Sequence, residues 1–370
     1  MRVLFFGTYD ARRHPRVAVL REGLRAAGAE VLECNAPLGL DTAARVELLS
    51  RPWRLPALGV RLAAAWRRLR RCALLSPEPD VVVVGYLGHF DVRLARRLFR
   101  GTPIVLDHLV SAADTAADRR VSSPRLLGML ERLDRSAVAA ADVVCVDTEE
   151  HLGLLSADAR SRAVVVPVGA PERWFRRPEQ RAGGPVRVVF FGLFTPLQGT
   201  AVIGEAIRVL AEDEAISFTV VGRGQDYETA RAAAGEPGTW REWVDPDELP
   251  DLVAGHDVCL GIFGTTPKAG RVVPNKVFQG AAAGCVVVTA DTPPQRAALG
   301  EAAVYVPAGD GAALAAALQG LAADRDRLWE LRQAAYRRAD EAFRPAAVVR
   351  PLFERLGGDP VRGWVVGKNA

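Results

Sequence analysis

The stretch Arg2-Val-Leu-Phe-Phe-Gly7 lies at the start of the chain and recurs near its midpoint as Arg187-Val-Val-Phe-Phe-Gly192. Each copy is a short apolar run that ends at a glycine and precedes a helical pattern. Such runs are typical of parallel strands that are covered on both faces. The first copy is too short for a signal peptide and lacks a cleavage region, so we interpret it as a buried strand. The repeat predicts two similar halves.

Apolar runs of this kind alternate with helical stretches throughout the chain. The predicted strands are 2–6, 30–34, 80–84, 103–106, 142–146 and 163–167 in the first half, and 187–191, 217–221, 242–244, 257–261, 285–289 and 303–306 in the second. This alternation predicts an α/β protein with two doubly wound parallel sheets. Because ligands bind at the carboxyl ends of parallel strands, we expect the site in a cleft between the two domains.

The length of 370 residues also favours two domains. A polar segment rich in Pro and Gly, 176–185, is the predicted boundary. We therefore expect a first domain over 1–175 and a second over 183–343. A last helix, within about 344–370, is expected to cross back to the first domain.

Composition excludes several classes of protein. The chain is 49% hydrophobic and 25% charged, with a net charge of +4, as in soluble globular proteins. No basic run is interleaved with aromatic residues, so a nucleic-acid partner is not expected. No window is long and apolar enough to span a membrane.

The five cysteines lie far apart in the sequence. Cys34, Cys145, Cys259 and Cys285 lie in apolar runs, where we expect buried free thiols. No Cys-x-x-Cys motif or Cys/His cluster suggests a metal, and a reducing, cytoplasmic compartment fits this pattern.

Lysine is rare in this chain: Lys268, Lys276 and Lys368 are the three lysines among 48 basic residues. Lys276 follows Pro274, which is suited to the first turn of a helix. A helix start offers free amides and partial positive charge, so it attracts phosphate, and a nearby ammonium adds a point charge. The alternative is a surface lysine without a role.

Glycine turns follow several predicted strands of the second half. Gly192 and Gly199 permit tight turns and a close approach of the backbone to a ligand, and Thr200 can cap the helix that follows. Gly222 begins another such turn. The adjacent Arg223 either binds an anion or is solvated.

Together these motifs resemble the donor half of the retaining family 4 glycosyltransferases, which have the GT-B fold. The order and spacing agree over nearly the whole second half, from Gly192 through Val-Val-Gly222, Trp243-Val-Asp-Pro-Asp-Glu-Leu-Pro250 and Ala-Gly-His-Asp257 to Pro-Asn-Lys276 and Ala-Ala-Ala-Gly284-Cys-Val-Val-Val-Thr-Ala-Asp291. The first half is similar more weakly, through Gly7-Thr-Tyr-Asp, His14-Pro-Arg16 and Val168-Gly-Ala170.

The resemblance implies two Rossmann-like domains separated by a cleft, with the nucleotide-sugar donor in the second. In this family two loops cradle a nucleotide diphosphate, and the segment that matches Trp243–Val244 flanks the base. The implied donor-binding residues are Gly192, Thr195, Gln198, Gly199, Gly222, Arg223, Trp243, Val244, Val272, Val273, Pro274, Asn275 and Gln279.

The sequence departs from the family pattern at the charged positions. Leu193 and Gln198 occupy places where the family has arginine and lysine, and Arg271 and Gln279 replace its paired glutamates. Gln279 can still hydrogen-bond a ribose hydroxyl. Arg271 and Lys276 together can replace the missing positive charges and act on the leaving diphosphate.

The implied reaction moves a sugar from a nucleotide-diphosphate donor to a hydroxyl acceptor, with retention of configuration. The donor is a co-substrate, and neither a cofactor nor a metal is expected. No protein nucleophile is required. The alternatives are a non-catalytic sugar-nucleotide-binding subunit, suggested by the missing glutamates, and a GT-B-fold sugar-nucleotide epimerase.

Polar residues at the strand ends of the first half are the candidate acceptor site. Asp107 and His108 end a predicted strand and are candidates for a general base or an acceptor-positioning group. The alternatives are a helix cap for Asp107 and a surface imidazole for His108. The candidate acceptor contacts are Gly7, Tyr9, His14, Arg16, Tyr86, His89, Ser111 and Asp114. The acceptor itself is a lipid-linked glycan or a small molecule.

The segment 51–75 is amphipathic, with arginines on one side and Leu, Trp and Ala on the other. Such a helix can rest on an anionic bilayer, which predicts a possible peripheral membrane contact. The alternative, which we favour on sequence grounds, is a helix that packs Leu62, Trp66 and Leu69 against the sheet and leaves a solvated basic face.

Overall fold

Two six-stranded parallel sheets organise the chain. The computed structural model describes residues 1–10, 14–39, 55–180, 183–235 and 238–357. These form two compact units: unit 1 comprises Met1–Pro167 and the stretch that begins at Pro345, and unit 2 comprises Val168–Arg344.

Unit 1 alternates strands and helices. Its strands are β1 (Arg2–Gly7), β2 (Glu30–Asn35), β3 (Val81–Val84), β4 (Ile104–Asp107), β5 (Val143–Val146) and β6 (Ala163–Val165). Its helices are α1 (Pro15–Ala26), α2 (Leu55–Leu75), α3 (Asp91–Leu98), α4 (Ala112–Asp118), α5 (Pro124–Ala139), α6 (Glu149–Leu154) and α7 (Ala157–Ser161).

The sheet of unit 1 has the order β2-β1-β3-β4-β5-β6, and all its pairs are parallel. Alternate residues of β1 enter two cores: Val3 and Phe5 face one layer, whereas Leu4 and Phe6 face the other. Both faces are therefore covered, as the continuous apolar runs predict. The order of the strands reverses between β1 and β3, which is where such sheets bind ligands.

The last described helix of the chain belongs to unit 1. This helix spans Pro345–Arg355 and packs against α1. Gly23 makes the close packing possible, since a β-carbon there would lie 2.2 Å from the carbonyl oxygen of Pro345. Val349 and Leu352 are fully buried in the same layer as Val3.

Unit 2 repeats the pattern. Its strands are β7 (Val186–Phe191), β8 (Ile216–Val221), β9 (Thr239–Arg241), β10 (Val258–Leu260), β11 (Val286–Ala290) and β12 (Ala303–Val306). Its α-helices are α8 (Thr200–Val209), α9 (Tyr227–Ala234), α10 (Leu249–Ala254), α11 (Asn275–Ala282), α12 (Pro293–Leu299), α13 (Gly311–Ala323) and α14 (Arg325–Ala342); the helix at Pro345–Arg355 is then α15.

The sheet of unit 2 has the order β12-β11-β10-β7-β8-β9, again all parallel. This is the strand order of a doubly wound dinucleotide-binding sheet, and it reverses between β7 and β10. The repeated sequence thus forms an interior strand of each sheet, β1 and β7. The prediction of two doubly wound parallel sheets is confirmed.

One predicted strand differs from the structure. The strand expected at 242–244 is wrong, because the pairing with β8 aligns Thr219 with Thr239 and ends at Arg241. The predicted boundary segment 176–185 lies inside unit 2, where the Arg176 amide donates a hydrogen bond to the Ala282 carbonyl at 2.9 Å.

The prediction of a free thiol at Cys34 is also wrong. Cys34, in β2, is bonded to Cys72 of α2, with their Cα atoms 5.7 Å apart. The two residues are separated by 38 positions, and only the packing of α2 beside β2 brings them together. Cys145, Cys259 and Cys285 are free and buried, as predicted.

Candidate functional site

The carboxyl ends of β7 and β8 approach each other through glycine. Gly192 has φ +137° and Gly222 has φ +132°, a region that favours glycine. A β-carbon on Gly222 would lie 1.9 Å from the carbonyl oxygen of Gly192. The Gly192 amide also donates to the Val221 carbonyl at 3.0 Å. The two turns are therefore joined backbone to backbone.

A third turn, after β10, joins them. The Phe263 amide donates to the Gln198 carbonyl at 3.0 Å. Gly199 is left-handed (φ +63°), and a β-carbon there would lie 2.4 Å from the carbonyl carbon of Phe263. The point where the strand order reverses in unit 2 is therefore lined by closely packed backbone.

Lys276 lies at this point, in the first turn of α11. Its Nζ donates a hydrogen bond to Oε1 of Gln198 at 2.5 Å and lies 3.6 Å from the centre of the Phe190 ring. A β-carbon on Gly192 would lie 3.2 Å from Nζ. The ammonium is thus held beneath the turn that follows β7.

The Lys276 side chain is almost completely buried, with 4% of the residue exposed. Burial lowers its pKa well below the usual range for lysine, and the Cys259 thiol opposes this only in part. No carboxylate of the described residues forms an ion pair with Nζ; its polar partner there is an amide oxygen. A buried cation without an anion is energetically costly, so the site is poised to accept one.

The remaining predicted residues near Lys276 lie around the start of α11. Pro274 is the N-cap, with extended backbone (φ −74°, ψ 157°), so the helix begins one residue later than the sequence predicts. Val272, Val273 and Gln279 are buried, whereas Asn275 is half-buried. Arg271 and Gly199 are half-buried too, and Thr195 is buried just before the turn that contains Gln198.

Two predicted donor-binding residues are turned to solvent. The Arg223 guanidinium is exposed and forms an ion pair with Glu242, so its charge is already paired in the absence of an anionic ligand. Trp243 follows β9 and is 69% exposed, and Val244 is half-buried. An exposed indole offers a stacking surface at low conformational cost.

In unit 1, the turn after β1 is fixed by Asp91. Its Oδ2 accepts hydrogen bonds from the Thr8 amide and hydroxyl, both at 2.8 Å, and its Oδ1 accepts one from the Trp66 indole at 2.9 Å. Gly7, the predicted contact beside Thr8, is buried. Asp91 thus ties α2 to the carboxyl end of β1.

Tyr9 is not available as an acceptor contact. It is 1% exposed, its hydroxyl donates to Glu33 at 2.8 Å, and its ring covers Gly85. Burial raises the pKa of its phenol, with the Glu33 carboxylate adding to the effect. The sequence places Tyr9 in a turn but does not reveal that its ring points into the core.

Arg16 and Asp107 form a fully buried ion pair at 3.2 Å. Arg16 also donates to the Pro167 carbonyl. Burial raises the pKa of the Asp107 carboxyl, and Arg16 opposes that shift. Because neither side chain is exposed, Asp107 is not placed to take a proton from an acceptor, and the two residues hold β4 and α1 in position.

His89 and Ser111 are both bound to Asp134. The His89 Nε2 lies 2.8 Å from Oδ1 of Asp134, and the Ser111 hydroxyl donates to Oδ2 at 2.8 Å. Ser111 also caps α4 by accepting from the Asp114 amide at 3.1 Å. Burial alone would raise the pKa of Asp134, but the bonds from His89 and from two backbone amides outweigh it and lower the pKa to about 2. His89, Ser111 and Asp134 therefore hold the loop after β3 and the start of α4 against α5.

Asp114 is half-buried in the first turn of α4, and the other accessible candidates of unit 1 are His14, Tyr86 and His108. The rings of His14 and Tyr86 lie 4.1 Å apart, and both are half-buried. His108 is half-buried at the end of β4, with its ring centre 5.6 Å from that of His89. Burial, with the nearby His89, lowers the pKa of His108 to about 4. Its imidazole is therefore neutral at pH 7.

Sequence reasoning missed Asp91 and Asp134. Both are buried carboxylates that organise the strand-end loops. Asp91 is the first residue of α3, two positions after the predicted contact His89, whereas Asp134 lies inside α5, where a helical Asp carries no visible signal of this role.

The described residues contain neither a metal-binding cluster nor a membrane-spanning helix. No group of three or more His, Cys, Asp or Glu side chains in them is placed to hold a metal ion. In the same ranges, no helix has both the length and the apolar character needed to cross a bilayer.

A family model described as "Glycosyl transferase-like" matches residues 204–354, which is less than half of the chain. No curated protein sequence matches the chain.

Solved structures resemble it over almost its whole length. Sucrose-phosphate synthase from Thermosynechococcus elongatus is 16% identical, with a TM-score of 0.69 over 96% of this chain and 99% of that one. HepE from Anabaena, in complex with UDP and glucose, is 15% identical, with a TM-score of 0.68 over 96% and 99%. An E. coli trehalose-6-phosphate structure bound with UDP-2-fluoro glucose is 13% identical, with a TM-score of 0.64 over 96% and 99%. At these identities the likeness is one of fold, and it confirms the predicted GT-B fold.

Proposed function

We propose that this protein is a glycosyltransferase that moves a sugar from a nucleotide-diphosphate donor to a hydroxyl acceptor. Unit 2 takes the donor, and unit 1 takes the acceptor. The observation that carries the proposal is the buried Lys276 ammonium, which has an amide rather than a carboxylate as its hydrogen-bond partner. The match to a glycosyltransferase-like family model over 204–354 supports it.

The diphosphate binds at the point where the strand order reverses in unit 2. The first turn of α11 supplies amides and partial positive charge, and Lys276 supplies a full charge beside them. Gly192 lets the oxygen atoms approach, since any side chain there would meet Nζ. Nζ then exchanges the neutral Gln198 oxygen for a charged one, which makes a stronger hydrogen bond.

The other donor contacts surround this point. Arg271, just before α11, adds a second positive charge, and Gln279 offers an amide to a ribose hydroxyl. The exposed Trp243 indole stacks on the base. HepE, whose structures hold UDP or UDP-glucose, and the E. coli structure bound with UDP-2-fluoro glucose make a uridine donor the first to test.

The reaction breaks the bond between the anomeric carbon and the diphosphate, and it forms a bond from that carbon to the acceptor oxygen. We infer retention of configuration and no metal, as in the family 4 glycosyltransferases that the sequence resembles. The developing charge on the leaving diphosphate is neutralised by Lys276, Arg271 and the helix start. The acceptor proton passes to the departing phosphate.

His108 positions the acceptor hydroxyl. Its imidazole is neutral above about pH 4, so a ring nitrogen can accept a hydrogen bond from that hydroxyl. Tyr86 and His14 offer a half-buried aromatic surface on which a sugar ring or a scaffold can rest. The acceptor is a lipid-linked glycan or a small molecule.

Turnover assays test the proposal directly. The protein is incubated with UDP-, GDP- or ADP-glucose and a panel of hydroxyl acceptors, with and without EDTA, and nucleotide release is measured. We expect release that depends on an acceptor, that survives EDTA, and that is lost in Lys276→Met. Proton NMR of the product then gives the anomeric configuration. If no nucleotide is released and none binds, the proposal fails.

A non-catalytic subunit that binds sugar nucleotides is the second candidate. Three positions favour it: Leu193, exposed in the turn after β7, and Arg271 and Gln279, which stand where the resembled family has glutamates. This candidate predicts nucleotide binding that Lys276→Met weakens, but no release with any acceptor. Calorimetry and the turnover assay together separate the two functions.

A further inference from the structure

The outward side of α2 combines arginine with exposed aliphatic residues. Arg61, Arg67, Arg68, Arg70 and Arg71 are all exposed, and no Asp or Glu occurs between Leu55 and Leu75. Val60, Leu74 and Leu75 are 71%, 75% and 77% exposed. We call these eight residues the outer face of α2. Arg51, Trp53 and Arg54, which sequence analysis joined to this segment, lie outside the described residues.

The opposite side of α2 is firmly attached to unit 1. Ala65 and Leu69 are buried in the core beneath the sheet, and the Trp66 indole donates to Asp91 at 2.9 Å. The bond between Cys34 and Cys72 adds a covalent link to β2. Trp66 and Leu69 pack inward as expected, whereas Leu62, the third residue expected there, is half-buried and lies outside this core. These contacts fix the orientation of α2 about its axis. The helix therefore cannot rotate to bury its outer face.

No carboxylate of the described residues is paired with the charges of the outer face. None of its five arginines forms an ion pair with a described residue. The adjacent helix α3, which packs against α2, is followed by Arg100 and carries Arg97, and both are exposed. The surface around α2 is therefore a concentrated patch of positive charge, which attracts an anionic partner.

We propose that the outer face of α2 binds the anionic surface of a lipid bilayer. Arginines near such a surface each add about 1 kcal/mol of attraction, which is about fivefold in affinity. Val60, Leu74 and Leu75 enter the boundary between headgroups and acyl chains, as in interfacial amphipathic helices. Binding of a nucleic acid or an acidic protein would account for the arginines, but it would not account for the three exposed aliphatic side chains.

This docking places the candidate acceptor site close to the bilayer. Asp91 bonds to Trp66 in the middle of α2 and to Thr8 at the end of β1. The carboxyl end of the unit 1 sheet therefore lies directly behind the membrane-facing helix. Tyr86 and His108 follow β3 and β4 at this same end of the sheet, where an acceptor held in the bilayer would be received. Membrane docking is independent of the proposed donor chemistry, which rests on unit 2.

Vesicle co-sedimentation tests the inference with the full chain. Vesicles of phosphatidylcholine alone are compared with vesicles that contain about one third phosphatidylglycerol, at low and high salt. We expect binding only to the anionic vesicles, weakened by salt. Arg67→Glu with Arg71→Glu is expected to lower the partition coefficient at least about 25-fold, at about fivefold for each arginine removed. Arg208→Glu with Arg337→Glu, two exposed arginines of unit 2, is the matched control and retains binding.

A second variant separates lipid from other polyanions. Leu74→Ser with Leu75→Ser is expected to lose most vesicle binding while its retention on heparin stays unchanged. Circular dichroism and UDP affinity show that each variant is folded. Binding of the wild type to heparin or RNA but not to anionic vesicles would overturn the proposal. So would vesicle binding that the outer-face variants leave intact. Neither result bears on the proposed role of Lys276 in binding the diphosphate.

Discussion

Lys276 shows how one residue links the stability of this protein to its proposed function. Its ammonium is buried against Phe190 and Gln198, where hydration is lost and no carboxylate of the described residues compensates for it. Such an arrangement costs folding free energy, and it persists where a ligand supplies the missing charge. The same reasoning separates Lys276 from Arg223, whose guanidinium is exposed and already paired with Glu242.

Removing this charge is expected to stabilise the ligand-free protein. Lys276→Met keeps the length of the side chain and its contact with Phe190 but eliminates the buried charge. We expect the free energy of unfolding to rise by about 1–3 kcal/mol, as for other buried charges replaced by apolar groups. Urea denaturation measures it. Lys268→Met, at a half-buried loop lysine, is the control and should not bring this gain in stability. A large loss of stability in Lys276→Met would show that the ammonium is structural.

The stability of the wild type should depend on pH because of the same lysine. Burial lowers the folded-state pKa of Lys276 below its unfolded value of about 10.4. Between the two values the unfolded chain binds more protons, so stability rises with pH through that window. The advantage of Lys276→Met over the wild type should therefore shrink as pH approaches about 10.4. Denaturation curves of both proteins from neutral to alkaline pH measure this, and a constant difference would contradict it.

At the scale of the elements, the site depends on turns that no side chain can enter. β7, β8 and β10 end in turns whose backbones touch, and glycine is required where they meet. The sequence predicted the turns after β7 and β8 because Gly192 and Gly222 each follow an apolar run. It could not predict β9 correctly, because β9 is an edge strand whose short extent is set by pairing with β8 on one side only.

Gly222→Ala tests the contact between two of these turns. The added β-carbon would lie 1.9 Å from the Gly192 carbonyl oxygen, at a φ of +132°. We expect a loss of more than about 3 kcal/mol in unfolding free energy, because backbone must move to relieve the overlap. Gly128→Ala, inside α5 with nothing within 4 Å of the added carbon, is the control. That change should stabilise the protein by about 0.5–1 kcal/mol. Equal effects of the two changes would refute the contact.

The disulfide between β2 and α2 is a second element-scale feature. It closes a loop of 38 residues, which is expected to stabilise the folded state by about 4 kcal/mol at 25 °C in the chain-entropy model. Cys72→Ser should lower stability by this amount under oxidising conditions. In the presence of dithiothreitol, the wild type and the variant should unfold at nearly the same urea concentration. Labelling of two additional thiols in the oxidised, denatured wild type would show that the bond does not form.

At the scale of the whole molecule, the internal repeat predicted most of the architecture. The two copies became β1 and β7, interior strands of sheets whose orders reverse beside them. What the sequence could not provide was the direction of side chains in the strand-end loops. Tyr9, Arg16 and His89 have the residue types of a binding site, yet tertiary packing turns all three inward. Likewise, Cys34 and Cys72 are paired by packing across 38 positions, which spacing alone does not reveal.

Nucleotide binding by isothermal titration calorimetry tests the central claim most directly. UDP is titrated into the wild type, Lys276→Met and Lys268→Met at pH 7. A charged hydrogen bond contributes about 1.5–3 kcal/mol, so we predict an affinity about 10- to 150-fold lower for Lys276→Met and nearly unchanged for Lys268→Met. If Lys276→Met binds UDP as tightly as the wild type, the buried ammonium does not hold the diphosphate.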